Sequence, residues 1–120
     1  MNHFQKIIVF ALNRGPEDYN LLKSVNLDWK HVEGAYKGTI EDSYVVLNTS
    51  ANLERVLTIA KATGQESILL VDHERYAELF FLKTQTYQGL GYLKEVSKGY
   101  AEQYGNYIKT KNAYFVAEGK

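Results

Sequence analysis

The sequence predicts an α+β fold: a ferredoxin-like β-α-β-β-α-β sandwich with an antiparallel sheet and an extra C-terminal β-hairpin. Apolar, β-branched segments of strand length alternate with two segments of helical spacing in that order. This order is the split βαβ arrangement. Further strand-like segments follow the sixth element. The 120 residues correspond to one domain, residues 1–120, because a domain usually has roughly 100–200 residues.

Two helices and eight strands are predicted. Pro16 suits the first turn of a helix that ends near Val25, where the missing N–H of proline needs no partner. Ser50 is the predicted N-cap of a second helix, which Gly64 ends. Residues 97–105 are polar, and their secondary structure is ambiguous from the sequence. Apolar or alternating runs predict strands over residues 6–12, 31–37, 41–47, 67–72, 76–82, 89–96, 106–109 and 113–117.

Composition excludes several functional classes. Lys plus Arg and Asp plus Glu each number 14, whereas nucleic acid or an anionic membrane attracts a basic excess. The absence of Cys excludes disulfides, thiolate nucleophiles and Cys-ligated zinc. No apolar run approaches the roughly 20 residues that span a bilayer. We therefore expect a cytoplasmic protein with no nucleic-acid or membrane partner.

Common catalytic signatures are missing from the chain. There is no phosphate-binding loop, dinucleotide fingerprint or G-x-S-x-G nucleophile motif. His3, His31 and His73 do not have the spacing of metal ligands. We predict surface or turn positions for these histidines and no metal site.

Polar residues lie at two strand edges. Tyr36 precedes a strand that begins at Glu41, and Gln65 and Glu66 join the second helix to an apolar strand. Two interpretations of the Gln65–Glu66 pair remain open. It is either an exposed, solvated loop or a pair in which Glu66 points into a cleft beside the first hairpin.

The order and spacing of several segments resemble the phage-encoded S-adenosylmethionine lyases, formerly called S-adenosylmethionine hydrolases. The resemblance covers most of the chain and rests on residues 34–37, Glu41, Ala60, and residues 65–69, 77–79 and 91–96. It implies a homotrimer with active sites at subunit interfaces, located in the host cytoplasm. The implied reaction converts S-adenosylmethionine to 5′-methylthioadenosine and L-homoserine lactone, which would deplete the methyl donor and counter host restriction.

The same resemblance implies roles for four residues. Tyr36, Glu41 and Glu66 would be catalytic, and Gln65, Glu66 and Tyr36 would bind substrate, with Gln65 at the adenine edge. The methionine carboxylate of the substrate is the nucleophile, so neither a cofactor nor a metal is required. The protein must supply orientation and a water-poor pocket, to which the 10 Tyr residues are suited. Glu66, with Glu41, would then anchor the substrate ammonium group.

Two other functional classes remain open. A catalytically inactive phage protein of the same fold would act as a binding or inhibitor module for a host protein, or as a ligand sensor. A regulator of the PII type, with a nucleotide bound between subunits, follows only from fold analogy. Lys37, Lys61 and Lys94 are too scattered in the sequence to indicate the phosphate site that such a regulator needs.

Overall fold

In a computed structural model, which describes residues 5–12 and 15–119, eight antiparallel strands close into a barrel and three helices lie between them in sequence. The helices are α1 (Pro16–Ser24), α2 (Ser50–Ala62) and α3 (Lys98–Tyr104). The strands are β1 (Ile7–Ala11), β2 (Lys30–Tyr36), β3 (Thr39–Leu47), β4 (Ser67–Val71), β5 (Tyr76–Phe81), β6 (Thr86–Val96), β7 (Tyr107–Lys109) and β8 (Tyr114–Glu118). No helix within these ranges is long and apolar enough to span a membrane.

The ferredoxin-like sandwich prediction is wrong, because the sheet has no open edges. The strand order is β1-β3-β2-β7-β8-β6-β5-β4, and β4 pairs with β1 to close the barrel. A four-stranded sheet of β4, β1, β3 and β2 would leave two edge strands with unpaired backbone groups. Here β5 pairs with β4 and β7 pairs with β2. The C-terminal strands therefore join the two edges instead of forming a separate hairpin.

Alternate residues of β1 face opposite sides of the barrel wall. Ile8 and Phe10 are buried in the main apolar core together with Leu22 of α1 and Ile59 of α2. Val9 lies on the other face and lines a cavity inside the barrel. Such alternation follows from the two-residue repeat of a strand. The helices therefore pack on the outside of the barrel, and the interior stays available.

The helix ends agree with the predictions except at one cap. Pro16 is the first residue of α1, and the helix ends one residue before Val25. The N-cap of α2 is Thr49 rather than Ser50, because the Thr49 hydroxyl accepts a hydrogen bond from the Asn52 backbone N–H at 3.1 Å. The ambiguous segment forms α3, which Ser97 caps in the same way.

A β-bulge interrupts the pairing of β5 with β6. Glu78 pairs with Gly89 and Ala77 pairs with Gly91, so Leu90 is the extra residue. A bulge bends a strand and changes where a side chain points. Leu90, between Gly89 and Gly91, lines the interior cavity.

Candidate active site

The barrel encloses a cavity of about 660 Å³, within the range of about 300–1,000 Å³ that is usual for ligand pockets. An eight-stranded barrel is just wide enough to hold one small ligand when side chains do not fill it. The apolar part of the lining comes from strands all around the barrel, including Val9, Leu69, Leu79, Leu90, Leu93 and Phe115. These side chains form the apolar part of the cavity wall, and polar side chains form the remainder.

Much of the polar lining comes from three connections at one end of the strands, and the strands themselves supply the rest. The three connections are the β2–β3 hairpin (residues 36–41), the α2–β4 connection (residues 63–66) and the α3–β7 connection (residues 104–107). We call these three segments the mouth of the cavity. Among the described lining residues, the formally charged side chains are Lys37, Glu41 and Glu66. The mouth therefore offers two carboxylates and one ammonium group to a ligand.

The end of α2 positions Gln65 and Glu66. Gly64 has a φ of 71°, a left-handed conformation that glycine adopts without steric cost. The Gly64 N–H donates to Lys61 O at 3.3 Å and the Gln65 N–H donates to Ala60 O at 2.9 Å. These two bonds form a Schellman motif, which ends a helix and sets the direction of the following chain. Gln65 and Glu66 are therefore directed to the mouth by local sequence.

The end of the α2–β4 connection that leads into β4 is hydrogen-bonded to the barrel wall. The Glu66 carbonyl accepts a hydrogen bond from the Leu82 N–H, just after β5, at 3.1 Å. The Thr63 hydroxyl is buried and donates to Ile59 O at 2.9 Å. The backbone on both sides of Gln65 is thus held, while the Glu66 side chain remains exposed.

The β2–β3 hairpin supplies Tyr36 and Glu41. Tyr36 is the last residue of β2, and Glu41 on β3 pairs with Gly34. Glu41 and Ser43 are two residues apart, share a strand face and both line the cavity, as strand geometry requires. Glu41 is half-buried, whereas Tyr36 is 41% exposed. The hairpin therefore places an aromatic ring and a carboxylate at the mouth.

A lysine already occupies one face of the Tyr36 ring. The Lys37 ammonium nitrogen lies 5.3 Å from the ring centroid, within the distance at which cation–π attraction acts. The Tyr36 ring is thus able to attract a cation to its face.

The Tyr107 phenol at the start of β7 has charged neighbours outside the cavity lining. Burial raises the pKa of the Tyr107 hydroxyl, and the neighbouring carboxylates of Glu33 and Glu102 raise it further. Tyr114 acts in the same direction, and the Lys109 ammonium group opposes it. The phenol therefore stays protonated at neutral pH, and it lies on the strand face opposite to Ile108, which lines the cavity.

The four residues singled out from the sequence are brought together. Tyr36, Glu41, Gln65 and Glu66 come from two separate connections and line one cavity. The interpretation of Gln65–Glu66 as part of a cleft beside the first hairpin therefore agrees with their placement. Their individual chemical roles stay predictions.

The sequence analysis missed other lining residues. Ser43 could have been found from its spacing to Glu41, because both belong to the same face of a predicted strand. Gln88 precedes the strand predicted over residues 89–96, but β6 begins at Thr86 and brings Gln88 to the lining. No sequence pattern around Asn106 indicates that it lines the cavity, because its position depends on a hydrogen bond with the distant β2–β3 hairpin.

The histidines lie apart from this cavity lining. His31 is exposed and its Nε2 lies 3.0 Å from Oδ1 of Asp42, and His73 lies in the β4–β5 turn. His3 is outside the described residues. Within residues 5–12 and 15–119, no group of three or more His, Cys, Asp or Glu side chains is placed to hold a metal ion.

A barrel with a partly apolar cavity and a charged mouth is typical of a protein that binds a small polar or charged molecule. The model of the S-adenosylmethionine lyase family matches residues 17–118, so the chain belongs to that family. Membership supports S-adenosylmethionine lyase activity and identifies S-adenosylmethionine as the small-molecule substrate class. A search of curated proteins found no match to the chain. The family prediction from the sequence is confirmed.

Proposed function

We propose that this chain cleaves S-adenosylmethionine to 5′-methylthioadenosine and L-homoserine lactone inside the barrel cavity. The observation that carries the proposal is the shared placement of Tyr36, Glu41, Gln65 and Glu66 around one cavity of about 660 Å³. The chain belongs to a family of S-adenosylmethionine lyases, and these are the residues that the resemblance marks as catalytic or substrate-binding.

The reaction needs no external nucleophile. The methionine carboxylate attacks the γ-carbon, the bond between that carbon and sulfur breaks, and its electron pair converts the sulfonium to a neutral thioether. Ring closure at the same time gives the lactone. Negative and positive charges both fade in the transition state, so a water-poor lining favours the transition state over the charged substrate. The apolar barrel interior supplies that lining.

The charges at the mouth complement those of the substrate. Glu66 and Glu41 attract the ammonium group and so direct the methionine tail. The Tyr36 ring attracts the sulfonium, as it attracts the Lys37 ammonium group. Gln65, whose backbone is held by the Schellman motif, contacts the adenine edge. Bending the tail in this way is a problem of orientation, which can lower a barrier by several kcal/mol.

Product analysis tests the proposal directly. Purified chain is incubated with S-adenosylmethionine, and 5′-methylthioadenosine is followed by chromatography. Early time points separate homoserine lactone from homoserine formed later by hydrolysis. Formation of 5′-methylthioadenosine with lactone as the first product supports the proposal. Intact substrate with a thermal shift indicates a ligand sensor, and intact substrate without one indicates an inhibitor or binding module.

We further propose that three chains associate and that neighbouring chains cover the mouths. Tyr36, Ile40 and Tyr104 are exposed near the mouth, with Ile40 at 62%. A second chain over these side chains would remove water from the site, which favours the charge-neutralising step. In a phage-infected cell the reaction would deplete the methyl donor in the host cytoplasm. Light scattering should give three times the chain mass of 13.7 kDa; a monomer with full activity contradicts the trimer.

Tyr36→Phe is expected to lower kcat by about tenfold or less with little change in KM. The ring that attracts the sulfonium remains, and only a hydrogen bond from the hydroxyl to the substrate would be lost, which is worth about 0.5–1.5 kcal/mol. Tyr36→Leu should in addition raise KM, because the cation–π attraction is lost. Steady-state kinetics with both variants checks this. If both variants had the kcat and KM of the wild type, Tyr36 would have only a packing role.

Gly34→Ala is expected to weaken S-adenosylmethionine binding severalfold while costing about 1–3 kcal/mol of stability. A Cβ at Gly34 would lie 2.6 Å from the Ser43 hydroxyl oxygen, which can rotate away, and the methyl group would narrow the cavity. Calorimetric titration and a thermal melt measure the two effects. Gly99→Ala in α3 is the matched control, because nothing lies within 4 Å of its added Cβ. Unchanged affinity in Gly34→Ala would place the substrate elsewhere.

A further inference from the structure

We propose that Asn106 is a positioning residue, which holds the β2–β3 hairpin so that Tyr36 and Glu41 keep their places at the mouth. This inference rests on the proposed function, because it assigns the hairpin a role in that reaction. Asn106 acts through the hairpin backbone rather than through the reacting atoms.

Two hydrogen bonds tie the hairpin turn to the α3–β7 connection. The Asn106 side-chain oxygen accepts from the Lys37 backbone N–H at 2.6 Å. The Gly105 carbonyl accepts from the Gly38 N–H at 2.9 Å. We call these two bonds the hairpin clamp. The clamp joins residues that are 69 positions apart in the chain.

The clamp begins where the β2–β7 ladder stops. The last paired residues of that ladder are Ala35 and Tyr107. Tyr36 and the turn that follows project beyond it, paired only with β3 on one side. The clamp therefore extends the connection between the hairpin and the C-terminal half of the barrel over the segment that carries Tyr36.

The conformation of the turn explains why it needs external support. Lys37 and Gly38 have φ values of 52° and 81°, which is the pattern of a two-residue hairpin turn with both central residues left-handed. Lysine adopts this region only at a steric cost, whereas Asn and Gly are the usual choices. Asn106 bonds to the N–H of the strained residue itself.

The other side of the clamp is anchored in the fold. Gly105 has a φ of 85°, ends α3, and donates its N–H to Ala101 O at 3.0 Å. Ala101 is fully buried, and the Tyr104 hydroxyl donates to the Ala117 carbonyl on β8 at 2.9 Å. The hairpin turn is thus held against a packed part of the molecule.

Three variants test the inference. Asn106→Ala removes the acceptor, and Asn106→Asp keeps an oxygen in its place. Asn112→Ala makes the same substitution in the turn between β7 and β8, outside the cavity lining. Each variant is first examined without ligand, by amide hydrogen exchange at Lys37 and Gly38, and then by kinetics with S-adenosylmethionine.

Asn106→Ala is expected to speed exchange of the Lys37 amide by about tenfold or more, because loss of a hydrogen bond makes local opening easier. Its kcat should fall by about ten- to a hundredfold with KM changed less than about threefold, since misplaced groups affect mainly the transition state. Asn106→Asp should recover most of both losses, and Asn112→Ala should resemble the wild type.

The two proposals fail in different ways. A wild-type chain that does not cleave S-adenosylmethionine overturns the proposed function, and it also removes the catalytic role assigned to the clamp. An active wild type with unchanged kcat in Asn106→Ala overturns this inference alone. Equal loss of kcat in Asn106→Asp and Asn106→Ala also contradicts it, because the loss would then not depend on the acceptor oxygen.

Discussion

Glu66→Gln is expected to lower kcat/KM for S-adenosylmethionine by roughly ten- to a hundredfold. The substitution keeps the shape of the side chain and removes its charge. A hydrogen bond to a charged group contributes about 1.5–3 kcal/mol, which corresponds to this range at about 1.4 kcal/mol for each factor of ten. The Glu66 side chain is exposed in a single chain, so solvent screening places the expected loss at the lower end of the range, and cover by substrate or a neighbouring chain would move it to the upper end.

The measurement is steady-state formation of 5′-methylthioadenosine at fixed ionic strength. Glu54→Gln is the matched control, because Glu54 is an exposed residue of α2 that does not belong to the described cavity lining. Glu41→Gln tests whether the second carboxylate shares the role. If Glu66→Gln turns over substrate as fast as the wild type, Glu66 does not anchor the ammonium group.

Gly91→Ala is expected to destabilise the barrel by about 3 kcal/mol or more. Gly91 has a φ of 116°, and a Cβ there would lie 2.5 Å from both the carbonyl carbon and the carbonyl oxygen of Glu118. These are backbone atoms of β8 and cannot rotate away as a side chain could. Tyr92 of β6 and Glu118 of β8 are paired next to this position and would have to move apart. The pairing between the two strands would therefore weaken.

Thermal and denaturant unfolding measure this effect. A loss of about 3 kcal/mol should lower Tm by about 10 °C for a domain of this size. Gly119→Ala is the control, since its φ is 78° but the nearest atom to an added Cβ is Lys94 Cε at 3.9 Å. That variant should lose only about 1–2 kcal/mol of stability, which is the cost of placing an alanine in the left-handed conformation. Equal losses in the two variants would show that the contact with Glu118 is unimportant.

Local sequence signals predicted the individual helices and strands better than they predicted how these elements assemble. The bounds of α1 followed from Pro16 and the apolar spacing, and Gly64 marked the end of α2, where the Schellman motif forms. Only the cap shifted by one residue, from Ser50 to Thr49, because either hydroxyl residue suits that position. Capping and helix spacing depend on a few neighbouring residues, so one sequence suffices to find them.

Long-range pairing could not be predicted in the same way. The order of the first elements is compatible with an open sheet. Closure into a barrel requires that β7, a strand of three residues, pairs with β2. The hydrogen bond from Lys37 to Asn106 is equally non-local. Such contacts leave no periodic pattern in the sequence, because the partner is chosen by the geometry of the whole barrel.

The sequence by itself determined the family, the two longer helices, most strands, and the four candidate residues Tyr36, Glu41, Gln65 and Glu66. Only the tertiary structure decided that the strands close, that the candidates share one cavity, and that Asn106 supports the hairpin. The physical reason is that helix ends and strand faces depend on local hydrogen bonds and side-chain alternation. Barrel closure depends on satisfying the backbone groups of two distant strand edges at once.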